Sequence, residues 1–290
     1  MVPLISMKQN EGVVNRDDVE GVAVPAAERL KSDLKSMWMT GDYDRFSRYM
    51  EGGARDFYER LSIAPGSRLL DVACGAGQLA LLAAREGVDA TGVDIATNLV
   101  QRARARARAE GLRATFHEAD AEDLPFEEGE FDTVVSLIGA MFAPGPDRVA
   151  RELLRVCSPG GTVAMANWTA SGFVGRMFRT ISRFIAPSGM PSPLLWGDET
   201  TVRERLGSGV SELDLTRRHY VFDYPFPPED VVEFFRLYYG PTHRAFASLD
   251  GAARDTLRRE LVDLWTAGNQ AEHGVTVVQA EYLEVIALRS

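Results

Sequence analysis

The chain has few of the residues on which several kinds of protein depend. Its 290 residues include two cysteines, Cys74 and Cys157, far apart and in apolar surroundings. Neither their spacing nor their context suggests a metal cluster or a disulfide framework. No stretch approaches the ~20 consecutive apolar residues that a membrane-crossing helix needs, and MVPLISMKQNEGVVNRDD has no signal-peptide core. The expectation is a soluble cytoplasmic protein without membrane insertion. Positive charge is also short. A formal net charge of −10 disfavours nucleic acid or an anionic membrane as partner. The run QRARARARAE does not reverse that. Arginines at every second position of a helix spread over several solvated faces and leave Leu99, Ala103 and Ala107 to pack inward.

What is present is a hydrophobic content of 45%, enough for a well-buried core, arranged with a clear period. Residues 1–30 are polar and aperiodic, a tail; residues 31–290 form the domain. LKSDLKSMWMTGDYDRFSRYM reads as helical segments broken at Gly41, with Trp38, Tyr43, Phe46 and Tyr49 giving an aromatic surface. From Arg68 to Trp168 strand and helix patterns follow one another. RLLDVA, VDATGVD, RATFHEA, FDTVVSLI and GTVAMANW read as strands, with QLALLAARE, TNLVQRARARARAE and PDRVARELLRVC as helices between them. Short apolar strands separated by helices are the mark of βαβ units, hence of a parallel sheet covered on both faces. Gly87, Gly111 and the run Ser158-Pro159-Gly160-Gly161 should end the helices, the last of them at Cys157. Beyond Trp168 the pattern becomes aromatic and proline-rich. Two strand-like runs remain there, LDLTRRHYVFDY and AEYLEVIALR, which would pair as the far edge of the same sheet.

In an open α/β sheet a ligand binds at the carboxyl ends of the strands, where the strand order reverses. Asp71, Asp94 and Asp120 all fall there. The turn ACGAGQ after the first strand lets backbone approach a ligand closely. Asp94 stands nineteen positions after Gly75, as an acid accepting from both ribose hydroxyls would. Asp71 would repel a pyrophosphate but attract an ammonium or sulfonium group. Asp120 can accept from an exocyclic amine while the backbone at Ala121 donates to a ring nitrogen, which is how adenine would be read.

DVACGAG, GVDIA, EADAEDLPFEEGEFDTVVS and ELLRVCSPGGTVAMANW, in that order, resemble the successive motifs of class I S-adenosylmethionine-dependent methyltransferases, of the ubiquinone/menaquinone-biosynthesis type. The resemblance covers roughly residues 40 to 170. It implies a doubly wound, mostly parallel, seven-stranded Rossmann-like sheet with helices on both faces, a C-terminal antiparallel edge and a helical cap over the acceptor site. It implies S-adenosyl-L-methionine as cofactor. Asp71, Ala73, Gly75 and Gly77 would line its methionine part, Asp94 its ribose, Ile95 the adenine face, and Asp120 with Ala121 the adenine edge. Ser136 and Leu137 would sit beside the sulfonium. Cys74 would line the site as a small buried residue rather than a nucleophile.

Methyl transfer from a sulfonium is an in-line displacement with a good leaving group, so alignment can supply much of the rate and no catalytic triad is required. Candidates for an acceptor-side base are His219, His243 and His273, with Tyr238 and Tyr239 as alternatives; His117 lies in the third strand and reads as structural. Tyr43, Tyr49 and Phe142 would form a lid over the cofactor or pack in the core. Cap elements at 31–60 and about 170–275, above all Trp38 to Met50 and Phe173 to Phe246, would build an apolar pocket for a small-molecule methyl acceptor, at an O, N or C centre. A homodimer is compatible with this reading. The other readings are a nucleotide-dependent oxidoreductase, disfavoured by Asp71, and a non-catalytic domain of the same fold.

Overall fold

The structure, a computed structural model, describes residues 26–185, 189–272 and 274–290. Its centre is one sheet of seven strands: β1 (Arg68–Val72), β2 (Asp89–Asp94), β3 (Ala114–Glu118), β4 (Phe131–Leu137), β5 (Cys157–Trp168), β6 (Val210–Tyr224) and β7 (Thr276–Arg289). Their order is β3-β2-β1-β4-β5-β7-β6. β1 pairs in parallel with both β2 and β4, β2 with β3, and β4 with β5. Only β7 runs the other way, antiparallel to both β5 and β6. The two strand-like runs after Trp168 thus form the expected edge.

Before the sheet come α1 (Ala26–Met39), α2 (Tyr43–Ser47) and α3 (Glu51–Leu61); between its strands lie α4 (Gln78–Arg85), α5 (Thr97–Glu110) and α6 (Pro146–Val156). After β5 follow α7 (Phe173–Ser182), α8 (Glu199–Leu206), α9 (Pro228–Tyr238), α10 (Gly240–Ala247) and α11 (Gly251–Gly268). Helices cover both faces of the sheet, which explains why the central strands are buried without alternation: Leu69, Leu70, Val72, Val134, Val135 and Val163 through Ala166 are all fully enclosed. None of the described helices is long and apolar enough to cross a membrane.

Three details differ from the sequence reading. The helix begins at Ala26, inside the stretch read as tail, and residues 1–25 lie outside those described. α6 ends at Val156, not Cys157. Cys157 already pairs with Phe131, and the Ser158–Gly161 run is an irregularity within β5 with Gly160 at φ +73. The arginines of α5 are not all simply solvated. Leu99, Ala103 and Ala107 do pack inward, but Arg104 donates twice to the Phe116 carbonyl, at 2.9 and 2.6 Å, and Arg106 bridges to Glu51 at 3.0 Å. They fasten α5 to β3 and to α3.

Candidate functional site

The strand order reverses between β1 and β4, and there a cleft of about 1100 Å³ opens at their carboxyl ends. The turn after β1 winds through left-handed backbone at Ala73 (φ 58), Gly75 (φ 56) and Gly77 (φ 83). At Gly75 the reason is visible: a Cβ there would stand 3.3 Å from the ring of Tyr43. Bare backbone therefore forms the floor of the cleft. Ile138, at the end of β4, also lies at positive φ (57), unusual for a β-branched residue and a sign of backbone held in place by its surroundings.

Three carboxylates line this wall. Asp71, 2% exposed, accepts the Ala80 amide at 3.1 Å through Oδ2. Burial raises its pKa to about 7; the Ala80 amide opposes that and the nearby Asp94 charge adds to it. Asp94 accepts from Gly75 N at 2.9 Å and Ala96 N at 2.8 Å, with burial again pushing its pKa upward. Asp120 accepts the Glu122 amide at 2.9 Å and pairs with Lys31 of α1 at 2.5 Å.

The expected residues converge only in part. Asp71, Ala73, Cys74, Gly75, Asp94, Ile95, Asp120, Ala121 and Leu137 all line the cleft. Gly77 does not; it caps α4, and a Cβ there would meet Phe116 at 3.0 Å. Ser136 lies beneath the cleft, donating to the Val72 carbonyl at 2.8 Å and accepting the Ala140 amide at 2.9 Å. Successive strand residues face opposite sides of a sheet, so Ser136 and Leu137 could not both face the ligand. Tyr49 is not in the wall either. It packs against Tyr224, Phe226 and Phe234, while Tyr43 takes the place over the cleft. Cys74 is buried and unpaired, its thiol pushed well up by burial first and the two aspartates second, the opposite of an activated nucleophile.

Of the candidate bases, His219 is exposed on the outer face of β6, because Tyr220, Phe222 and Tyr224 alternate with it toward the interior. His243 is held by the Arg236 carbonyl at 3.0 Å and lines no part of the cleft. His273 lies outside the described residues. His117 is in β3 as expected, on an exposed position rather than in the core. Tyr238 lies beneath the Arg45 guanidinium. Tyr239 alone stands near the site, in a smaller chamber of about 330 Å³ that shares Trp38, Tyr43, Met50, Ile138 and Phe142 with the cleft.

The cap expected at 31–60 supplies the roof, with Trp38 in it as expected; Lys31 and Leu34 are the residues that the sequence reading does not single out. Lys31, Leu34 and Trp38 form one stripe of α1 over the cleft, and their spacing of three and four was a readable helical signal. Gln78, which donates to Ser47 of α2, and Gly139 also belong to the lining. Nothing in their local sequence marks them.

A methyltransferase-domain family profile matches residues 69–161. The uncharacterised protein Rv1405c of Mycobacterium tuberculosis is 38% identical over 273 residues, 92% of this chain and 98% of that one. The demethylmenaquinone methyltransferase of Thermus thermophilus is 33% identical over 155 residues, 50% of this chain and 70% of its own length. Among solved structures, phosphoethanolamine N-methyltransferase 2 of Haemonchus contortus, in complex with S-adenosyl-L-methionine, superposes with a TM-score of 0.55 at 20% identity, over 82% of this chain and 52% of that one. This last similarity concerns the fold.

Proposed function

The chain belongs to the S-adenosylmethionine-dependent methyltransferases, and we propose that it carries a methyl group from that donor to a small, partly apolar acceptor. The observation that carries this reading is the row of Asp71, Asp94 and Asp120 along one cleft wall, beside Gly75, whose missing side chain leaves room. These residues fit the donor. Asp94, already oriented by two backbone amides, would take the ribose hydroxyls with its remaining lone pairs. Asp120 and Ala121 would read the adenine edge, and Ile95 would cover its face. Asp71 lies where an ammonium group would draw its proton off and hold the carboxylate charged.

When bound, the donor supplies a methyl group on a positively charged sulfur. The protein's part is to align that methyl with the acceptor and to keep water away. Trp38 and Tyr43 from the cap at 31–60 and Tyr239 from the cap at about 170–275 would serve here, together with Phe142, which follows β4. Their rings meet at centroid distances of 5.1–6.4 Å, and such faces also favour a nearby cation. Two free, buried cysteines suit a reducing compartment, in support of a cytoplasmic location.

Calorimetry tests the proposal. Micromolar binding of S-adenosylmethionine or its demethylated product is expected, with Asp94→Ala abolishing it. Binding of NAD instead, or equal donor affinity in the variant, would overturn the reading.

A further inference from the structure

A polar hollow of about 250 Å³ adjoins the cleft. One wall is a stripe of α3 at helical spacing, Gly53, Asp56 and Arg60; facing it are Arg218 and Tyr220 of β6 and Tyr282 of β7. Tyr220 borders both the hollow and the cleft, and α3 passes it at Gly53, where a Cβ would stand 2.2 Å from the ring. One ring thus separates the two cavities.

A buried carboxylate organises this wall. Glu284 of β7, its side chain 4% exposed, accepts Arg60 Nε at 2.8 Å on Oε2 and Arg218 Nε at 2.5 Å on Oε1. Arg60 Nη2 also donates to the Tyr282 hydroxyl at 2.6 Å. Two guanidiniums around one carboxylate leave one positive charge in excess. Among the described residues, no hydrogen bond takes either Nη of Arg218 or Nη1 of Arg60. Asp56 is exposed and makes no ion pair with a described residue. Arg217, which also lines the hollow, is already paired with Glu199 at 3.3 Å and Glu281 at 3.0 Å.

Stability alone does not account for the Arg60–Glu284–Arg218 triad, because apolar residues in the place of a buried ion pair often serve as well or better. What the carboxylate does is hold two guanidinium forks side by side with donors left over. Such forks match the paired oxygens of a carboxylate or phosphate, and holding them in advance lowers the ordering cost of binding.

We propose that Arg60 and Arg218 form a binding site for the carboxylate or phosphate group of a small molecule, with Glu284 as the residue that positions them. The excess charge selects an anion and repels an ammonium. The hollow is several times the ~30 Å³ that a water occupies in the liquid, so the group fits with some of the molecule that bears it. The site does not rest on the methyl-transfer reading.

Phosphorus NMR and calorimetry on the whole chain at low salt, with inorganic phosphate and acetate as probes, test it. One saturable site per chain is expected. Arg218→Lys keeps a cation beside Glu284 but removes the free Nη pair, and should weaken binding about ten- to a hundredfold. Asp56→Asn removes an opposing charge from the wall and should tighten binding by up to about fivefold. Asp56 is exposed, so this variant decides even if Arg218→Lys fails to fold. The absence of saturable binding, or a parental affinity in the folded variants, would overturn the proposal. The bearer of the group is read with radiolabelled S-adenosylmethionine and small hydroxy and amino acids beside their methyl esters. Phosphate that competes with the acids alone supports the site as that of the acceptor's anionic end; phosphate that binds without competing supports it as that of a separate ion. Failure of the donor to bind would overturn the methyl-transfer reading and leave this site standing.

Discussion

Gly75 donates its amide hydrogen to Asp94 at 2.9 Å, so the acid closing β2 is tied to the glycine turn that closes β1. The same carboxylate accepts the Ala96 amide at 2.8 Å. One side chain thus shapes the floor of the cleft and would meet the ribose. Hydrogen bonds to a charged group contribute about 1.5–3 kcal/mol each. Asp94→Ala, losing the acceptors for two ribose hydroxyls, should weaken donor binding by at least about a hundredfold and lower the melting temperature. Asp94→Asn should fall between, because its amide can replace only one of the two oxygens. A titration of all three proteins by calorimetry checks the order.

Asp71 makes stability and binding depend on pH in opposite directions. Its pKa is raised from 3.8 to about 7 in the fold, so the native state holds this proton more tightly than the unfolded chain. Its contribution is fully present below about pH 3.8 and is lost as pH rises through 7. The loss is on the order of 4 kcal/mol by linkage. Asp71→Asn, which mimics the protonated form, should therefore be more stable than the parent above pH 7 and nearly equal to it near pH 4. Donor binding should strengthen as pH rises toward 7, by up to about tenfold per unit, and should release a proton. Denaturation curves at several pH values, and calorimetry in two buffers of different ionisation enthalpy, measure both. A variant with the parent's pH slope would refute the assignment.

The sheet was legible because buried parallel strands are short, unbroken apolar runs, and the acids at their ends were legible because nothing apolar replaces them there. Facing was harder. Tyr43 and Tyr49 are six residues apart, about 240° around a helix, so one could cover the cleft only if the other faced away; the sequence does not say which. The same holds for Ser136 against Leu137 and for His219 against Tyr220, where only the pleat decides. The roof stripe on α1 was visible as spacing, but the carboxylates it meets are 83 and 89 residues away in sequence, and no local pattern encodes that meeting.

Gly139 sits against the strained turn. A Cβ there would stand 2.6 Å from both the Cβ and the carbonyl oxygen of Ala73, and Ala73 is already at φ 58. Backbone cannot yield as a side chain can. Gly139→Ala should cost about 1–3 kcal/mol, read by urea denaturation, and weaken donor binding as the turn shifts. Gly52, in α3 with nothing within 4 Å, is the control. Gly52→Ala should be neutral or stabilising by up to about 1 kcal/mol.

The roof is held largely by charges that water can reach, Glu122 at 1% exposure being the exception. Lys31 reaches Asp120 at 2.5 Å and Glu122 at 2.9 Å, and Lys35 pairs with Glu118; the lysine side chains are 24% and 34% exposed. Exposed pairs contribute about 0–1 kcal/mol each and weaken with salt. Apolar contact adds to them through Leu34 and Trp38, which face the cleft. α1 should therefore open more readily than the enclosed strand β1, and hydrogen–deuterium exchange should show it. Raising the salt to about 0.5 M, or combining Lys31→Met with Lys35→Met, should speed exchange in α1 by up to about thirtyfold and leave β1 unchanged. Adding S-adenosylmethionine should slow it, because a bound nucleoside gives Leu34 and Trp38 a surface to close upon. Lys31 also occupies the carboxylate that would accept from the adenine amine, so in the parent the ammonium and the neutral amine must share Asp120 as donors, or Lys31 must move fully to Glu122. Equal exchange in α1 with and without salt, and in the double variant, would mean that aromatic packing alone holds the roof.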